Sequence, residues 1–241
     1  MDRMIYLSMS GAKATMQRQD TLANNIANVS TPGFRAELQA FRAVPVLGSG
    51  ASTRVFSLET TSGYDSTPAA ITATGRNLDV AVKGNSWLAV QALDGTEAYT
   101  RGGSFEVSND GTLTTRSGLP VMGAGGPLQV PPDSVVSIGA DGTISARGSD
   151  GKNTGVGKLK LVTPSSPLTR GDDGLFRGAD GDLSADDTAR VQDGALEGSN
   201  VSAVESMVAM ISAARQFEAQ MKMISTAEAD EKSASQLLSA N

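Results

Sequence analysis

NVSAVESMVAMISAARQFEAQMKMISTAEADEKSASQLL, from Asn200 to Leu238, is the stretch from which the architecture follows. Apolar side chains recur at Val201, Val204, Val208, Ile211, Ala214, Phe217, Met221 and Ile224, in the steps of three and four that make one stripe of an α-helix. Ser202 with Glu205 fits a capping box, and Gly198-Ser199-Asn200 ahead of it is a loop. No proline or glycine follows Gly198. The spacing therefore predicts a helix about 55 Å long at 1.5 Å per residue. Such a helix outreaches a small domain, and its stripe needs a partner.

The opposite end of the chain supplies one. Ile5, Met9, Ala12, Met16, Ala23 and Ile26 fall on four-three spacing, with Gln19 at the polar position and Leu22 widening the seam. That is close to a heptad pattern. The expected fold is α+β: long N- and C-terminal amphipathic helices pair as a coiled-coil-like base, with a central antiparallel β domain inserted between them. One partner helix covers a stripe incompletely, and ordering a long helix costs backbone entropy. Ile5, Met9, Met16, Leu22, Ile26, Val201, Val204, Val208, Ile211, Phe217, Met221 and Ile224 are accordingly expected to form an assembly interface completed by neighbouring subunits.

Composition excludes several classes. A net charge of −6 and a pI near 4.7 argue against a nucleic-acid partner. With no cysteine there is neither a disulfide framework nor a thiolate metal site. With no histidine the usual general base and every Ser-His-Asp arrangement are gone. Asp2 replaces a basic n-region and Ser8, Ser10, Gly11 and Lys13 interrupt any apolar run, so no cleaved signal peptide is expected. No apolar run approaches the length of a membrane span.

Between the helices the period changes. A Gly/Ser/Thr-rich linker follows Arg42–Val46, with β-prone pieces such as Arg54-Val55-Phe56 suited to an extended arm. From Ala69 onward, Leu78, Val80 and Val82 alternate with Asp79, Ala81 and Lys83, and Leu159 and Leu161 alternate with Lys158 and Lys160. Asp-Gly pairs at Asp94-Gly95, Asp110-Gly111, Asp141-Gly142, Asp150-Gly151, Asp173-Gly174, Asp180-Gly181 and Asp193-Gly194 read as hairpin turns of type I′. The expected divisions are residues 1–38 (helix and turn), 39–68 (arm), 69–195 (β domain) and 196–241 (second helix). Asp180-Gly181-Asp182 begins a calcium-loop pattern, but Ala185 stands where glycine is needed and Val191 where glutamate is needed. The adjacent pairs Asp172/Asp173 and Asp186/Asp187 are acidic enough for a glycosidase, yet adjacency in sequence does not set the spacing that mechanism needs. Neither a phosphate loop nor a nucleophile elbow is present. No cofactor or metal is implied, and no catalytic residue is assigned.

The end of the first helix carries the most specific motif. In Asn24-Asn25-Ile26-Ala27-Asn28-Val29-Ser30-Thr31-Pro32-Gly33-Phe34-Arg35, Asn28 suits a helix C-terminus, Pro32 cannot continue the helix, and Pro32-Gly33 favours a type II turn with Gly33 at positive φ. Asn24, Asn25, Asn28, Ser30, Thr31, Pro32, Gly33 and Phe34, with Arg35 after them, resemble the N-terminal signature of the bacterial flagellar axial proteins, the rod, hook and hook-associated family. Three further segments resemble the same family: Thr74–Val82 with Trp87–Val90, Tyr99–Phe105, and Leu196–Val201. Arg42–Val46, Trp87–Gln91 and Arg170–Arg177 resemble one proximal-rod type more than the distal-rod type. The distal-rod protein or another hook or rod protein stays open as the alternative, with a secreted carbohydrate-active β protein or an adhesin behind it.

The resemblance implies a structural subunit of the flagellar basal-body rod. Its paired end helices would line a hollow drive shaft in the periplasm, and its β domain would form an outer layer that stiffens the shaft for torque. It also implies self-association, contacts with proximal-rod neighbours and the distal-rod protein, and export through the flagellar type III apparatus.

Overall fold

The computed structural model describes residues 2–45, 55–132, 134–148, 151–179 and 181–239. Val46, residues 47–54, and the aspartates of Asp150-Gly151 and Asp180-Gly181 lie outside the described residues. The chain forms two compact units. One comprises Met1–Val29, Ala36–Asp65 and Val201–Asn241, and the other Ser30–Arg35 and Ser66–Asn200.

The first unit holds α1 (Asp2–Ala27), an antiparallel pair β1 (Glu37–Pro45) and β2 (Val55–Tyr64), and α2 (Ala203–Ser239). The Ser202 hydroxyl accepts a hydrogen bond from the Glu205 amide at 3.4 Å, and its carbonyl accepts one from the Ser206 amide at 2.9 Å, so Ser202 is the N-cap. α2 then runs unbroken for 37 residues. β1 and β2 are in register from Glu37 opposite Tyr64 to Pro45 opposite Val55, with a bulge at Ala40/Phe41.

The helices pack on each other, but the coiled-coil-like base is not there. A coiled coil would interlock the large residues of both stripes. Instead Met9, Met16, Val204, Val208, Ile211 and Met221 are 58, 56, 74, 62, 55 and 46% exposed. Ile5, Leu22, Ile26, Val201, Phe217 and Ile224 are half-buried. Asn25 apart, the fully buried helix positions are small: Ser8 and Ala12 on α1, Ala213 and Ala227 on α2. Gly11 sits so close to Gln220 that an added Cβ would lie 3.0 Å from its Nε2. Small side chains bring the backbones together and leave the large ones outside the contact. The α+β content stands; the pairing mode is the correction.

The second unit is antiparallel β throughout its described residues. Its largest sheet has the order Leu161–Val162, β5 (Trp87–Gln91), β6 (Glu97–Thr100), Phe176–Arg177, Thr169–Arg170, where β3 (Ile71–Ala73) and β4 (Val80–Val82) are the strands preceding β5. Val135–Ile138, Thr143–Arg147 and Asn153–Lys158 form a three-stranded sheet. β4 pairs with Val191–Asp193, and β3 with Ala195–Glu197, so the first and last strands of the unit lie side by side.

Val135–Ile138 alternates exposed and buried as a half-solvated strand should. The alternation read over Leu78–Lys83 does not survive, because Asp79 and Ala81 are buried along with Val80 and Val82 and the strand is enclosed on both faces. One core joins Val80, Val82, Leu88, Phe105, Leu113, Val121, Ile144, Leu161 and Val191. Trp87 packs against Phe176 with ring centroids 4.6 Å apart and the ring planes tilted by 51°.

Candidate functional site

The signature turn belongs to the β unit. The Phe34 amide donates to the Thr31 carbonyl at 3.2 Å, and Gly33 adopts φ 72°, as Pro32-Gly33 predicts for a type II turn. A Cβ on Gly33 would stand 2.2 Å from the Arg101 carbonyl carbon, so only glycine admits this approach. The Gly33 amide donates to the Glu197 carbonyl at 2.8 Å, which aims the next basic side chain at the Glu197 carboxylate.

Arg35 Nη2 meets Glu197 Oε1 at 2.7 Å, and Arg101 Nε meets Glu197 Oε2 at 2.7 Å. All three side chains are buried, at 3, 2 and 1% exposed for Arg35, Arg101 and Glu197. Other donors go to backbone carbonyls: Arg101 Nη1 to Gly84 O (2.9 Å) and Ser86 O (2.6 Å), Arg101 Nη2 to Val82 O (2.9 Å), Arg35 Nη1 to Thr67 O (2.7 Å), while the buried Arg35 Nε has no hydrogen-bond partner among the described residues. The Ala69 amide adds a second donor to Glu197 Oε1 at 3.0 Å. Burial pulls the Arg101 guanidinium below its ordinary range, and the Glu197 carboxylate opposes that shift. One anion thus holds two cations in a dry joint that ties residues 33–35, 67–69, 82–86, 101 and 197 together. Phe34 lies under the Arg170 guanidinium at 4.7 Å, and Asn200 Nδ2 donates to Thr67 O at 3.0 Å.

The asparagines act in the helical unit. Asn25 pairs with the Glu37 backbone in both directions, Oδ1 accepting at 2.8 Å and Nδ2 donating at 3.0 Å, as a strand neighbour would. Asn24 Nδ2 reaches Glu37 Oε2 at 2.9 Å, and Asn28 Nδ2 folds back onto Asn24 Oδ1 at 2.9 Å. They fasten the end of α1 to the start of β1. Ser30 and Thr31 stay exposed, and Pro32 and Phe34 are half-buried.

This arrangement has the character of a mechanical joint, with two half-open apolar helix faces in the other unit. Arginine holds its proton too tightly for general-base work. Among the described residues no three acidic side chains gather as metal ligands would. Reading the sequence did not single out Arg35, Arg101 and Glu197 as partners. The available signal was that each charge stands among small and apolar neighbours: PGFRA with its charge next to the turn, YTRGGSF and ALEGSN.

Each member of the joint falls within a different family match. The Flagella basal body rod protein model matches residues 5–35, the Flagellar hook protein FlgE/F/G D1 domain model residues 81–146, and the Flagellar basal body rod FlgEFG protein C-terminal model residues 192–237. The flagellar basal-body rod protein FlgF of Salmonella typhimurium strain LT2 is 48% identical over 252 residues, covering 99% of this chain and 99% of its own. That of Escherichia coli K12 is 49% identical over 250 residues with the same coverage. The chain belongs to the FlgF family of flagellar basal-body rod proteins. Bacillus subtilis FlgG, another rod protein, is similar at 33% identity over 94% of this chain and 95% of its own. As a family member the protein is a structural subunit of the basal-body rod, and association with other rod and hook proteins goes with that membership. No described helix is long and apolar enough to cross a membrane.

Proposed function

We propose that the subunit sits in the proximal rod, in the periplasm next to the distal-rod protein, and polymerises through the apolar faces of α1 and α2 to carry torque along a hollow shaft. The observation that carries this reading is the exposure of Met9, Met16, Val204, Val208 and Ile211 on helices already paired by other residues. Apolar faces left open on a folded subunit are surface for a neighbour to cover. Head-to-tail contacts of this kind propagate into open helical arrays when the rotation does not close. The protein reaches its place through the flagellar type III export apparatus. The role is mechanical and asks for no catalytic group or cofactor.

The test is Val204→Glu with Val208→Glu in cells lacking the parent gene. The purified variant is expected to fold within about 0.5 kcal/mol per site of the parent, as exposed substitutions do. Isolated basal bodies are expected to lack it, and the cells not to swim. Incorporation at parental levels would refute the helical interface.

A further inference from the structure

We propose that Leu93, on the turn between β5 and β6 of one copy, seats in an apolar pocket on the β unit of a second copy. The contact lies apart from the helical faces and rests on the rod-subunit reading.

Leu93 is 96% exposed, so it touches essentially nothing of its own molecule. Hairpin tips ordinarily carry polar residues. This tip is also fixed. The Asp94 carboxylate accepts from the Thr96 amide at 2.9 Å and from its hydroxyl at 2.6 Å, and the Ala92 amide donates to the Thr96 carbonyl at 2.9 Å. A rigid turn presents the leucine with little conformational entropy left to lose.

The β unit also has a pocket of about 350 Å³, walled by Pro32, Leu119, Leu175 and Thr115 and by the exposed Arg116. That is the space of roughly ten waters at ~30 Å³ each, ample for one leucine side chain. Charge chooses the occupant. At the tip Asp94 and Asp173 share the single guanidinium of Arg177, at 3.6 and 2.8 Å, which leaves the tip net acidic. Arg116 has no ion-pair partner among the described residues. A tip of a second copy entering the pocket brings Asp94 toward Arg116, so this chain carries both halves of the contact. Knob and hole are different surfaces, and such a heterologous contact propagates along an array.

The chain has no cysteine, so an introduced pair reports one contact. Full-length Leu93→Cys/Ser117→Cys protein would be expressed in cells lacking the parent gene, and isolated basal bodies oxidised. The expected result is a ladder of disulfide-linked copies that needs both cysteines and is absent from Leu93→Cys/Ser137→Cys. Arg116→Glu in the same background should cut the ladder about tenfold, because it sets like charges face to face. Basal bodies that hold the chain but show no 93–117 bond overturn the docking and leave the rod reading standing. Absence of the chain from basal bodies overturns both. Ser117→Cys carrying a benzophenone should capture a second copy; capture solely of another protein also overturns the proposal.

Discussion

Glu197 faces two guanidiniums in a space that water does not reach. The net worth of such a cluster against an apolar core is small, but removing one partner leaves charge buried without compensation. Glu197→Gln is therefore expected to destabilise the β unit by about 3–5 kcal/mol. The sole tryptophan, Trp87, is 2% exposed with the Arg101 guanidinium 5.9 Å from its ring, so its fluorescence in a urea titration reports this unit directly. Gly33→Ala should cost at least ~1–3 kcal/mol by forcing a side chain into positive φ, with the Arg101 backbone in its way. A midpoint unchanged in either variant would mean the joint does not hold the turn.

Among the elements, the Asp-Gly turns are built differently from the two-residue type I′ form. The Gly95, Gly111, Gly142 and Gly174 amides donate to carbonyls three residues back, at Ala92, Ser108, Gly139 and Gly171. Each of those four glycines has positive φ, at 82, 83, 83 and 76°. These are three-residue loops, a type I turn closed by a left-handed glycine. Three of them continue Asp-Gly-Thr, and the carboxylate takes the threonine amide and hydroxyl. The Thr96 and Thr143 hydroxyls hold Asp94 and Asp141 below the ordinary carboxylate range, and Thr163 first, then Thr188, bring Asp186 to about 2. A carboxylate whose folded pKa is depressed lends stability above its unfolded pKa of about 3.9 and loses it as pH falls toward the folded value. The urea midpoint followed by Trp87 should fall steadily from pH 4 to pH 2. A flat profile there would show that the turns do not couple to folding. On the helices, Ala213→Leu should overpack the contact and cost about 1–3 kcal/mol of helical stability by circular dichroism. Met16→Gln, on an exposed face, should stay within about 0.5 kcal/mol.

At the scale of the molecule, the β unit is completed by residues from far outside its main run. A fragment spanning residues 30–200 contains the whole joint and is expected to unfold cooperatively, as followed by Trp87. A fragment of residues 69–195 keeps Arg101 but lacks Arg35 and Glu197, and the same tryptophan should report a broad, weak transition. Equal stability of the two would show that the joint is dispensable. The adjacency of β3 and Ala195–Glu197 explains why both chain ends leave the β unit at one edge.

Two end helices, a β middle with turns at Asp-Gly pairs and the flagellar axial family were legible in the sequence alone. Helix periodicity, caps and turn residues act over a few positions, so they are written locally. Which face of α1 meets α2 was not, because both helices carry two usable faces. The large apolar stripe was the stronger pattern, and the small residues won the contact by letting the backbones approach. Nor was the ionic joint legible: Arg35 and Glu197 are 162 positions apart, and Arg101 and Glu197 are 96 apart. Whether a lone charge in the sequence ends in water or inside the protein depends on what the rest of the chain places beside it. Burial makes the unpaired alternative costly, and that cost exists only in the folded structure.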